Sequence, residues 1–106
     1  MKIVVNGKSW DIEYVKPNDR NLVNSQGASV LGVTDGKARK VYINNRLNDY
    51  MADKVLSHEL CHVFCFSYGI WLDMETEELI ADFLATYGRE VFEIADSILY
   101  RFAKIC

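Results

Sequence analysis

Val55-Leu56-Ser57-His58-Glu59-Leu60-Cys61-His62-Val63-Phe64-Cys65-Phe66 is the stretch whose reading decides this chain. Read as a helix of 3.6 residues per turn, it stands His58 and His62 one above the other on a single face. Both imidazoles can then reach one tetrahedral metal ion. Glu59 lies about 100° round from His58, close to such an ion but aimed at its bound water. A zinc ion in this setting lowers the pKa of water towards neutrality, and the glutamate takes the proton as the water attacks a carbonyl. Val55, Leu56, Leu60, Val63, Phe64 and Phe66 cover most of the circumference, which predicts a helix buried nearly all round. Burying ionisable groups there is costly unless something compensates, and a metal compensates both histidines, the only two in the chain. The bland alternative is two core histidines satisfied by backbone carbonyls, with a surface glutamate between them.

A site of this kind needs a third protein ligand and an open position for water. With no histidine left, the ligand is a carboxylate or a cysteine. Downstream stand Glu75, Glu77, Glu78 and Asp82. Glu78 and Asp82 are four apart and share a face with Ala81 and Ala85, small residues that let two helices approach closely. Glu78 is the expected third ligand, and Asp82 is expected to accept a hydrogen bond from the other nitrogen of a ligand histidine. Glu75 and Glu77 read as decoration of a positive helix N-terminus. Cys65 shares the histidine face but lies roughly 10 Å from His58, too far for one metal to hold both. Cys61 and Cys65 therefore read as buried small hydrophobes, and the terminal Cys106 is uninformative. An oxyanion donor is also expected, with Tyr68, Tyr87 and Tyr42 as candidates.

Outward from the motif, the chain divides in two. Asn6-Gly7 and Asp35-Gly36 are turn dipeptides between runs rich in Val, Ile, Tyr and Trp, which predicts two hairpins and four short strands. The strand Lys37–Ile43 comes just before the motif helix. Residues 17–27 form a polar loop. From Asp49 on there is no proline, and glycine occurs only at Gly69 and Gly88. Taking each glycine as a helix terminator predicts three helices, roughly 49–68, 74–87 and 89–104. Asp73 is the expected N-cap of the second. The third shows an amphipathic face of Val91, Phe92, Ala95, Ile98, Leu99 and Phe102, expected to pack in the core.

The 106 residues suffice for one domain with a single core. The net charge of −3 and a lone basic cluster, Lys37-Ala38-Arg39-Lys40, argue against binding nucleic acid through charge. No apolar run reaches the roughly 18 residues that span a bilayer, and the N-terminal apolar stretch is too short for a signal peptide. Three cysteines do not make a secreted disulfide framework, so the expected location is cytoplasmic, the host cytosol if a phage encodes the chain.

The runs Gly32-Val33-Thr34-Asp35, Val41-Tyr42-Ile43 and Leu56-Ser57-His58-Glu59-Leu60-Cys61-His62 resemble the ImmA/IrrE-like metallopeptidases, especially the short phage and prophage versions. Glu77-Glu78-Leu79-Ile80-Ala81-Asp82-Phe83, followed by Tyr87-Gly88, is similar to the second signature of that family and to the ExxxD of the wider gluzincin group. The resemblance covers roughly residues 29–90. It implies zinc ligation by His58, His62 and Glu78, a general base at Glu59 and support from Asp82. It also implies a zincin-like α+β fold, a small twisted and mostly antiparallel sheet on the motif helix with the glutamate helix behind. In that fold the strand Lys37–Ile43 is the expected edge beside the metal, on which an extended peptide could pair. Larger members carry further segments on either side, and family members are associated with cleaving repressor or regulator proteins. The expectation is thus one domain, 1–106, that hydrolyses peptide bonds in one or a few protein substrates with zinc as cofactor. Two rivals stand beside it: a zinc-bound binding module without turnover, and a regulatory protein with a vestigial site.

Overall fold

Asn6 and Gly7, both at positive φ (48° and 75°), turn the chain tightly between β1 (Lys2–Val5) and β2 (Lys8–Val15). The second hairpin, β3 (Gly32–Asp35) to β4 (Lys40–Asn44), closes by a different device. Asp35 pairs with Lys40, and the Asp35 carboxylate accepts the backbone N–H groups of Lys37 (3.0 Å) and Ala38 (3.1 Å). The turn is therefore longer than the Asp35-Gly36 dipeptide suggested, and Arg39, at φ 53°, takes the left-handed position. In the polar segment between β2 and β3, Asp19 and Asn24 hold turns in the same way, and Leu22 is buried.

The computed structural model describes the backbone of residues 1–105. Cys106 and the side chains of Phe102, Lys104 and Ile105 lie outside the described residues. The fold is α+β, as expected, but two features of the expected architecture are corrected. The sheet runs β1-β2-β4-β3 and is mixed, with β2 and β4 parallel between two antiparallel pairs. The strand after the Asp35 turn is thus interior, flanked by β2 and β3, and β3 is the edge. Alternation of hydrophobic residues carries no information on which strand lies at an edge. Val41 and Ile43 are fully buried, which is the better sign of a central strand.

There are two helices, not three: α1 (Asp49–Tyr68) and α2 (Met74–Ile105). Gly69, at φ 65°, ends α1, and its N–H caps the carbonyls of Cys65 and Phe66. Gly88 ends nothing. It sits within α2, buried, with the Leu84 side chain against it. A glycine costs a helix only about 1 kcal/mol. A reversal between helices needs about two to eight connecting residues, where the three-helix reading left one. Just beyond it the Arg89 guanidinium holds the Asp53 carboxylate of α1, keeping α2 on its neighbour.

The main core lies between sheet and α1: Val5, Trp10, Ile12, Val41, Ile43 and Val63. Full burial of such side chains stabilises by roughly 1.5–3 kcal/mol each. Trp10 is 1 % exposed, and its indole N–H donates to Ser67 Oγ at 2.9 Å, so its one polar atom is satisfied. The helix is not buried all round, as its composition suggested. Sheet and α2 cover two sides, and Phe64 and Phe66 stay 48 % and 38 % exposed. Among the described residues no helix is long and apolar enough to cross a membrane.

Candidate metal centre

α1 starts where Asn48 Oδ1 accepts the Met51 N–H at 2.8 Å, and α2 where Asp73 Oδ1 accepts the Thr76 N–H at 2.8 Å. With these ends fixed, the two helices run antiparallel. His58 faces Asp82, His62 faces Glu77, and Asp53 faces Arg89. Small side chains make the approach close: Ala81 is fully buried against Cys61 and Cys65.

At this seam, three donor atoms converge. Glu78 Oε2 lies 3.2 Å from His58 Nε2, Glu78 Oε1 lies 2.9 Å from His62 Nε2, and the two Nε2 atoms are 3.2 Å apart. Each histidine turns its other nitrogen to a carboxylate, His58 Nδ1 to Asp82 Oδ1 at 2.8 Å and His62 Nδ1 to Glu77 Oε2 at 2.5 Å. Those carboxylates make Nδ1 the protonated nitrogen of each neutral ring, which leaves both Nε2 atoms as lone-pair acceptors. Two acceptor nitrogens and a carboxylate pointing at one spot repel one another unless a cation joins them. Ligands at tetrahedral zinc distances, about 2.0–2.1 Å, are themselves roughly 3.3 Å apart. His58, His62 and Glu78 can hold a metal ion.

Glu59 leaves the same helix turn towards the sheet and is 7 % exposed. Thr34 of the edge strand donates its hydroxyl to Glu59 Oε1 at 2.8 Å. Gly32, two residues earlier on β3, makes room: a Cβ there would stand 2.8 Å from Val55 Cγ1 and 3.0 Å from Glu59 Cγ. Burial pushes the Glu59 carboxyl above its usual range, opposed by the Thr34 hydrogen bond and the neighbouring histidines. A carboxylate poised in this way can accept a proton. A cleft of about 770 Å³ opens over the group, lined by His58, Glu59 and Glu78 on one side and by Val30, Leu31 and Val33 on the other.

The expected site residues His58, Glu59, His62, Glu78 and Asp82 are therefore brought together. Tyr68, Tyr87 and Tyr42 are not: none lines the cleft. Tyr68 stacks on Phe64, Tyr87 packs on Phe83, and Tyr42 is buried in the central strand. Cys61 and Cys65 are buried free thiols outside the donor group, and burial pushes the Cys61 thiol up to about 11. Glu77, read from the sequence as helix-end decoration, instead orients His62. The signal was present, since two ligand histidines require two acceptors and Asp82 can serve only one. Thr34 and Gly32 were not anticipated beside Glu59, because strand-to-helix pairing is not written in local spacing. Comparison with known proteins finds no matching family, no matching curated protein and no matching solved structure.

Proposed function

We propose that this chain is a zinc-dependent peptidase acting on one or a few protein substrates. The observation that carries the reading is the convergence of three acceptor atoms, from His58, His62 and Glu78, beside a buried carboxylate that is not one of them. Two imidazoles and one carboxylate suit zinc by ligand type. The ion, when bound, supplies Lewis acidity that makes water acidic and polarises a carbonyl. The chain's own residues do the rest. Thr34 occupies Glu59 Oε1, so Oε2 is the atom that accepts the proton from the attacking water and returns it to the leaving amine. Asp82 and Glu77 keep the Nδ1 protons in place and so keep both Nε2 lone pairs turned to the metal.

The substrate pairs with β3 and not with β4, whose two sides are already taken. Pairing alternates along an antiparallel ladder, and Asn44 N–H donates to the Leu31 carbonyl. Gly32 and Thr34 therefore turn their backbone groups to the open edge, on the side of the cleft. The resemblance to ImmA/IrrE-like peptidases agrees with this reading and suggests a regulator or repressor as substrate. The reading extends to a cytosolic workplace, where buried free thiols such as Cys61 and Cys65 stay reduced.

Glu59→Gln tests the proposal. The variant is expected to retain zinc and to lose cleavage of unfolded casein or a peptide library by about 100- to 10,000-fold. Equal cleavage by wild type and variant would remove Glu59 from the chemistry. A zinc-loaded wild type that cleaves nothing would favour the binding module.

A further inference from the structure

The 32 residues of α2 extend roughly 48 Å and set the long axis of a molecule measuring 55 × 31 × 28 Å. Its last third has no helical neighbour. Asp53 pairs with Arg89, so α1 begins opposite about residue 93 and the rest of α2 runs past it. Along this helix, Ile80, Leu84, Tyr87, Val91, Ile94 and Ile98 follow one another in alternating steps of four and three. All six are between 39 % and 61 % exposed. The row lies roughly 130° round the helix from the seam that carries Glu78, Ala81 and Ala85, and so points away from the cleft. A single helix of this kind gains most of its stability from packing, and alternating four-and-three spacing is the pattern of a two-helix seam.

We propose that this row is the interface of an antiparallel coiled coil between two copies of the chain. Charge selects both the occupant and its direction. The next position of the row is Arg101. A parallel pair would press Arg101 of one copy against Arg101 of the other inside the seam, two like charges with no counter-charge. An antiparallel pair crossing near residue 96 sets Ile94 against the other copy's Ile98 and Val91 against its Arg101. Each Arg101 then sits within one turn of the other copy's Glu90, so two opposite-charge contacts form by symmetry. The overlap falls on residues 87–105, most of it beyond the start of α1 and all of it on a different face from the α1 seam, and both clefts remain open.

Sedimentation velocity of the intact protein, from low micromolar to several hundred micromolar, tests this. The expected species has twice the 12.2 kDa chain mass. Ile94→Glu with Ile98→Glu should weaken self-association by at least about 100-fold, with the far-ultraviolet circular dichroism of the monomer unchanged. Charge reversal gives a second arm at exposed sites, where folding is not at risk. Glu90→Arg should weaken the dimer, and adding Arg101→Glu should restore it. A monomer across the whole range overturns the proposal, as does a dimer indifferent to both sets of variants. A dimer that Glu90→Arg weakens and the added Arg101→Glu fails to restore overturns the antiparallel arrangement.

Discussion

His62 Nδ1 finds Glu77 in a half-buried position, whereas His58 Nδ1 finds Asp82, whose side chain is 66 % exposed. Both carboxylates fix a tautomer, yet water can replace the exposed one more readily. Asp82→Ala and Glu77→Ala are each expected to weaken zinc affinity, by roughly 10- to 100-fold, with Glu77→Ala at the upper end. Competition against a chelator of known affinity measures both, and an unchanged affinity for either variant removes that residue from the support of the site. Gly32 belongs to the same scale. A methyl group there meets Val55 and Glu59 at overlapping distances, so Gly32→Ala should cost about 1–3 kcal/mol in urea unfolding as the helix shifts off the strand. Near-wild-type stability would show that the cradle gives way freely. The five residues anticipated at the site were legible because HExxH and ExxxD act through helical spacing, which is local. Thr34 contacts Glu59 across 25 residues of chain, and no local pattern reports such a pairing.

At the scale of elements, the two departures from expectation share a cause: glycine and turn dipeptides mark where a chain can break, not where it does. Asn6-Gly7 adopts its positive φ angles because the strands on either side pair there, and Gly69 does so where the Asn6 and Lys8 side chains take the Ser67 carbonyl at the end of α1. Gly88 is followed by Arg89-Glu90-Val91-Phe92, with no Ser, Thr, Asp or Asn to cap a new start, so the helix continues. Gly88→Ala should accordingly stabilise the protein, by up to about 1 kcal/mol, provided the half-exposed Leu84 gives a few tenths of an ångström. Thermal unfolding measures it, and a marked loss of stability would mean Gly88 is needed for its small size. The order of strands could not be read for a similar reason, since a parallel β2–β4 pair depends on where the intervening loop and β3 lie. Proline at Val41, in the middle of that sheet, should abolish the fold as judged by circular dichroism, and a folded Val41→Pro variant would contradict an interior β4.

Across the whole molecule, the candidate metal site lies on the seam through which α2 joins the rest of the fold. The sheet packs on α1, and α2 is held to α1 by Ala81 among the cysteines, the Asp53–Arg89 pair and the histidine–carboxylate cluster. A ligand that binds only this folded arrangement stabilises it by mass action, by about 2.7 kcal/mol at a hundredfold excess over its dissociation constant. Removing zinc with a chelator should therefore lower the melting temperature of the wild type and leave that of His62→Ala unmoved. The same contacts make zinc content the most direct measure of the central claim. Elemental analysis of purified protein is expected to find about one zinc per chain for the wild type and none above background for His62→Ala, with circular dichroism confirming that the variant is folded. Full zinc occupancy in folded His62→Ala would contradict the account, because the ion would then be held by some other set of residues.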